Sequence, residues 1–298
     1  MTATTKVSKN GNMHKAKAEK NNEFYTLLTD IEKELWNYKD QFKGKVVYCN
    51  CDDPMHSNFF KYFSLNFEFL GLKKLVTTHY GNDKKSYKLE ITGDTNGDGK
   101  INQFDTVKTE LEGNGDFASP ECIVMLNQCD IVVSNPPFSL ARLYLDVLIN
   151  SGKQFLFISN LNAITYKEFF KNIKENKLWL GYTSPKEFMK PDGEIQKFGN
   201  IIWYTNMDTN KRHEDLFLHK TYNEKDYPKF DNYDAINCDK TKDIPLDYFG
   251  CIGVPITFLD KYNPEQFDIV KFRKGDDEKD FSINGKQTYF RIIIKRKQ

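Results

Sequence analysis

Apolar positions recur at helical spacing in "TDIEKELWNYKDQFKG" (residues 29–44), where Ile31, Leu35, Tyr38 and Phe42 fall on one face and Gly44 supplies a stop. Thr29 and Glu32 stand in capping-box spacing, so the pattern predicts a helix opening at Thr29. "KVVYCNC" then reads as a buried strand, and "SNFFKYFSLNFEFLG" as a second helix with Phe59, Phe60, Phe63, Phe67 and Leu70 inward and Gly71 closing it. "KKLVTTH" is the next strand. Ser119 and Pro120 form an N-cap and first-turn pair for "ECIVMLNQ", and "CDIVVSN" follows as a strand. Beyond it, Leu140, Leu143, Tyr144, Val147 and Leu148 predict the apolar face of another helix, before the strand "KQFLFISN".

Strands alternating with helices across residues 21–205 imply an α/β fold, an open, mostly parallel sheet with helices on both faces. Such sheets bind ligands beyond the carboxyl ends of their strands. Two unusual turns, "CNCDDP" and "SNPPF", both lie at such ends. From residue 206 the chain turns polar, rich in Tyr and Asp, and weakly periodic, ending in a basic strand pattern, "QTYFRIIIKRKQ". The expected organisation is a disordered basic tail at 1–20, a main domain at 21–205 and a smaller region at 206–298.

Charge adds a constraint. With 43 Lys and Arg against 42 Asp and Glu the total is near neutral, which excludes a histone-like polycation but leaves room for local basic patches. Both ends are cationic: Lys6, Lys9, Lys15, Lys17 and Lys20 face only Glu19 at the start. The six cysteines have no C-x-x-C or metal-ligand spacing and no secretory leader before them, so reduced thiols in a cytoplasmic protein are expected. No apolar run approaches the ~20 residues that span a bilayer, so no membrane association is expected.

The turn "SNPPF" carries the chemistry. Prolines end a strand because they lack the amide proton for the next ladder bond. An asparagine side chain followed by a proline carbonyl offers two acceptors in fixed relative positions, which suits an exocyclic amine. If Asn135 Oδ1 and the Pro136 carbonyl each accept one proton of that amine, its lone pair is turned out of conjugation and aimed at an electrophile. Pro137 stiffens the turn, and Phe138 offers a face on which a planar base stacks.

This tetrapeptide resembles the catalytic motif of amino-methyltransferases that use S-adenosylmethionine. Together, "NNEFYT", "KGKVVYCNCDDP", "GNGDF", "DIVVSNPPFSL", "NAITYKEFFK" and "GVPITFLDKYNPEQF" resemble the EcoRI-type adenine-specific DNA methyltransferase family over nearly the whole chain from residue 21. The resemblance implies a Rossmann-like methyltransferase core, with Asn135, Pro136, Pro137 and Phe138 as the catalytic turn and a target-recognition region at the end. It implies methyl transfer to the N6 of a flipped-out adenine in double-stranded DNA, as in restriction–modification systems. Phe24, Tyr25 and Thr26 would touch the cofactor's methionine end, and Cys49, Asn50, Asp52 and Asp53 would line the first loop, with Asp52 or Asp53 meeting the α-ammonium. Asp116 and Phe117 would hold the cofactor's adenine. A monomer is expected, with any cognate endonuclease sharing the DNA site without binding this chain. The same tetrapeptide also serves enzymes acting on cytosine N4, RNA adenine or a protein glutamine, and a non-catalytic DNA-binding module is the reading from another class.

The chain departs from the common methyltransferase pattern in lacking a glycine-rich turn after Asp-Pro. The side chains of Asn50, Asp52 and Asp53 are therefore expected to do more of the binding. "VTTHY" offers no acid for ribose hydroxyls. Elsewhere, "DTNGDGKINQFD" (94–105) matches a calcium loop in spacing, yet its flanks "SYKLEIT" and "TVKTELEG" are strand-like, so a hairpin with Asn-Gly and Asp-Gly turns is the competing reading and no metal is assigned. Lys211, Arg212 and the basic end are the expected phosphate contacts.

Overall fold

Short buried runs of β-branched and aromatic residues build the largest sheet. The structure, a computed structural model, describes residues 24–51, 53–81, 86–190 and 192–298. The tail at 1–20 and Asp52 lie outside the described residues. The strands, in chain order, are β1 (Tyr25–Thr26), β2 (Val46–Cys49), β3 (Lys74–His79), β4 (Tyr87–Ile91), β5 (Val107–Glu110), β6 (Ile131–Ser134), β7 (Gln154–Asn160), β8 (Trp179–Leu180), β9 (Glu187–Met189), β10 (Ile195–Lys197) and β11 (Ile201–Thr205). Among the described residues, eight of them form one sheet in the order β5-β4-β3-β2-β6-β7-β11-β8.

Strand β2 lies inside this sheet, parallel to β3 and β6, with Val47 opposite Leu75 and Ile131. Val47, Tyr48 and Cys49 are fully buried, as a strand covered on both faces requires. The β3–β4, β4–β5 and β8–β11 pairs are antiparallel, so the sheet is mixed, with antiparallel strands towards both edges. The hairpin reading of the 94–105 segment agrees with the β4–β5 pairing. Gly97 and Gly99 take positive φ, and the carboxylate of Asp105 accepts from the amides of Thr95 and Asn102.

The helices are α1 (Leu28–Leu35), α2 (Asn58–Leu65), α3 (Pro120–Gln128), α4 (Ala141–Ser151) and α5 (Lys167–Lys174). Ser119 caps α3 as expected, accepting from Cys122 N at 3.3 Å. Two expectations need correction. Helix α1 opens at Leu28 behind an extended Leu27 with no side-chain cap, and continues as 3₁₀ turns through Phe42. The buried Glu34 takes over the polar pairing there, accepting from Tyr38 Oη and from Thr183 N and Oγ1. In α4 the buried face is Ala141, Tyr144, Leu145 and Leu148, whereas Leu140 and Leu143 are exposed. The face is set by what packs against the helix, which apolar spacing does not record.

The chain divides into two compact units. One holds the described residues up to Lys153 with Phe157–Asn160 and Thr183–Ile202; the other holds Gln154–Leu156, Leu161–Tyr182 and Trp203–Gln298. The first contains a small antiparallel sheet, β1-β9-β10. The second contains β12 (Ile236–Asn237), β13 (Cys251–Pro255), β14 (Phe267–Phe272) and β17 (Arg291–Arg296), ordered β12-β13-β17-β14, and the hairpin β15 (Ser282–Ile283) and β16 (Lys286–Gln287). Gly253 in β13 lies beneath the ring of Phe230, where a Cβ would come within 2.5 Å of ring carbons. Phe230, Ala235, Phe281 and Ile293 form the core beside it.

Candidate active site

Parallel pairing of β2 and β6 brings their carboxyl ends side by side, and with them the two unusual turns. Ser134 Oγ accepts from Cys51 N at 3.0 Å, tying one turn to the other. The next residue, Asn135, is only 8% exposed. Its Nδ2 donates to the backbone carbonyl of Phe24 at 2.5 Å, which fixes which way the amide faces. Among the described residues nothing donates to Asn135 Oδ1 or to the Pro136 carbonyl. The Pro137 carbonyl accepts from Leu140 N at 2.9 Å, closing the turn that carries Phe138.

The Phe24 carbonyl is itself placed by the small sheet. Tyr25 and Thr26 pair with Met189 and Phe188, and Asn58 Nδ2 donates to the Thr26 carbonyl at 2.7 Å. Four rings gather there. Phe198 lies edge-on to Phe24 at 4.8 Å and to Phe188 at 5.5 Å, and Phe138 lies near-perpendicular to Phe188 and Phe198 at 6.4 and 6.3 Å. Edge-to-face packing of this kind fixes ring orientation as well as burying area.

A second group of residues surrounds the end of β2. Asn50, 2% exposed, accepts through Oδ1 from Tyr144 Oη at 2.7 Å and from the Cys51 thiol at 3.5 Å, while its Nδ2 is buried without an acceptor among the described residues. Thr26 Oγ1 is likewise buried without a partner among the described residues. The Asp53 carboxylate accepts from Met55 N, and lies 3.7 Å from His79 Nδ1 and 3.5 Å from Tyr87 Oη. Burial first, and then this carboxylate, push the Tyr87 phenol up to about 12. An acid from the neighbouring loop thus reaches the end of β3, where the strand's own sequence has none.

Gly115 is a required close approach. It has φ +76°, and a Cβ there would sit 2.2 Å from the His79 carbonyl oxygen. This draws the "GNGDF" loop against the end of β3, where Gly81 N also donates to the Asn114 carbonyl at 2.9 Å. Asp116 accepts from Ala118 N, and Phe117, 5% exposed, lies edge-on to Tyr144 at 5.1 Å.

The family model of the adenine-specific methyltransferase EcoRI matches residues 12–297. The chain belongs to the EcoRI adenine-specific methyltransferase family. Type II methyltransferase M.EcoRI from Escherichia coli is 52% identical over 315 residues, 96% of each chain. M.MgeORF184P from Mycoplasma genitalium and M.MpnI from Mycoplasma pneumoniae, both Type II methyltransferases, are 40% and 41% identical, covering 96% of this chain and 98% of their own. No solved structure matches.

Membership of this family implies a methyl-donor cofactor. The residues fit such a group: buried polar atoms normally find partners, and the orphaned donors Asn50 Nδ2 and Thr26 Oγ1 sit in the segments expected to bind it. The structure therefore brings Phe24–Thr26, Cys49–Asn50, Asp53, Asp116–Phe117 and the Asn135–Phe138 turn into one unit. Tyr144, Phe188 and Phe198 were not singled out from sequence for this site; an aromatic on a helix face or a short strand reads as core. Lys211, an expected phosphate contact, pairs with Asp260 at 2.5 Å and donates to the Gly181 carbonyl. Arg212 stacks on Trp179 at 3.7 Å and donates to Asn176. Trp203 and Tyr204 are fully buried. Among the described residues no group of three or more His, Cys, Asp or Glu is arranged to hold a metal ion, and no helix is long and apolar enough to cross a membrane.

Proposed function

We propose that this protein is a site-specific DNA adenine N6-methyltransferase of the restriction–modification type, with S-adenosylmethionine as its methyl donor. The observation that carries the reading is the Asn135 Nδ2 bond to the Phe24 carbonyl, which leaves Oδ1 as the acceptor beside the Pro136 carbonyl. Those two oxygens take the two protons of the target amine and direct its lone pair outward. Phe138, set by the Phe188 and Phe198 rings, stacks on the base. The adenine must leave the duplex to reach the turn, at a cost of a few kcal/mol that stacking and the two hydrogen bonds offset.

When bound, S-adenosylmethionine supplies an electrophilic methyl group on a sulfonium. Asn50, Asp53 and Thr26 would hold its methionine end, Asp116 and Phe117 its adenine. Alignment is the protein's main contribution, and no strong base is required because the product cation loses its proton readily to solvent. Residues 206–298 are the proposed target-recognition region, with Lys295 and Lys297 as candidate phosphate contacts. The protein is proposed to act as a cytoplasmic monomer on double-stranded DNA, sharing its site with any cognate endonuclease without binding it.

The test is mass spectrometry of nucleosides from duplex DNA incubated with the protein and isotopically labelled S-adenosylmethionine. Labelled N6-methyladenine is expected. Label in cytosine, or label only when RNA or protein is supplied, overturns the assignment.

A further inference from the structure

Helix α4 leaves the catalytic turn and sends Tyr144 into the interior. The side chain is fully buried, edge-on to Phe117 at 5.1 Å and to Phe157 at 5.4 Å. Its hydroxyl donates to Asn50 Oδ1 at 2.7 Å. One side chain on the catalytic helix therefore touches two residues from separate loops, one at the end of β2 and one after β5.

The two ends of an asparagine amide are nearly the same size but opposite in hydrogen-bond sense. A donor fixed on Oδ1 decides which end faces where. In Asn50 the close donor is Tyr144 at 2.7 Å, with the Cys51 thiol a weaker second at 3.5 Å, and the consequence is a buried Nδ2 with no acceptor among the described residues. Orphaned buried donors are rare in native structures, and a ligand oxygen is the partner that would resolve this one.

We propose that Tyr144 is a positioning residue for the methyl-donor cofactor. Its hydroxyl holds the Asn50 amide so that Nδ2 meets an acceptor oxygen of the cofactor, and its ring braces Phe117. The inference rests on the reading of Asn50 as a cofactor contact. Because α4 begins at the turn that carries Asn135, the target amine's acceptor and the cofactor's donor share one rigid support.

The experiment compares Tyr144→Phe, Asn50→Ala, Asn50→Asp and the Asn50→Ala/Tyr144→Phe double variant in the full chain. S-adenosylhomocysteine binding is followed by calorimetry, and cofactor KM and kcat by methyl transfer. Phenylalanine keeps the ring packing and removes only the hydroxyl. The expected result is about tenfold weaker binding and a matching rise in cofactor KM, with kcat at saturating cofactor within about twofold. In the double variant Tyr144→Phe adds nothing to Asn50→Ala, because its effect passes through that amide. Asn50→Asp keeps an acceptor for Tyr144 but presents no donor, so it weakens binding as Asn50→Ala does. Undiminished binding by both Asn50 variants would overturn the cofactor assignment of Asn50 and this proposal with it. Weakened Asn50 variants beside a Tyr144→Phe protein that binds normally, or a double variant whose losses multiply, would overturn the role of Tyr144 alone.

Discussion

Asn135 Nδ2 donates to the Phe24 carbonyl at 2.5 Å, joining residues 111 positions apart in the chain. That bond gives the proposed catalytic amide a direction. With its nitrogen committed to the backbone, its oxygen is the end available to an incoming amine. Asn135→Asp would replace the donor by an oxygen facing the Phe24 carbonyl. We expect methyl transfer to fall by at least about 100-fold, the scale of losing an oriented transition-state contact, with S-adenosylhomocysteine affinity retained. Single-turnover transfer and calorimetry measure the two separately.

Phe198 orients two partners of that turn, Phe24 and Phe138. Phe198→Leu keeps much of the apolar volume and removes the edge-to-face geometry. Turnover on duplex DNA should drop several-fold with a smaller rise in cofactor KM, because Phe198 packs on Phe138 and Phe188 as well as on Phe24; steady-state kinetics in both substrates measure the two effects.

Gly115 lies against the His79 carbonyl in a left-handed conformation. Gly115→Ala combines the conformational penalty with a clash against backbone. A loss of roughly 1–2 kcal/mol from conformation alone is expected, with more from the clash, seen as a lower denaturation midpoint. Cofactor affinity should fall as well, since the "GNGDF" loop can no longer close on β3.

Asp280 in the second unit accepts from Arg273 Nε and Nη2 and pairs with Lys274, which holds its carboxyl down at about 2. A depressed carboxylate pKa contributes stability that is present above the unfolded value, about 4, and lost as pH falls towards 2. Asp280→Asn should therefore lower the melting temperature at pH 7. The gap between variant and parent should narrow as pH falls below about 4, which a thermal-unfolding series across pH would record.

Much of this protein is legible along its chain. The buried runs at Val46–Cys49 and Ile131–Ser134, the Ser119–Pro120 helix start, the positive-φ glycines of the 94–105 hairpin and the "SNPPF" turn all follow from local chemistry: β-branched burial, a cap oxygen, a missing Cβ, a missing amide proton. These signals depend on residues a few positions apart, so sequence carries them whole.

What the tertiary structure alone decided is which distant groups meet. Phe24 reaches Asn135, Asp53 reaches the end of β3, Tyr144 reaches Asn50, and Lys211 turns to Asp260. The same cause moved the buried face of α4 away from Leu140 and Leu143. An amide's direction, a phenol's partner and a helix's inner face are set by whatever packs against them. Spacing along one segment specifies the side chain on offer, and the contact across the fold specifies its use.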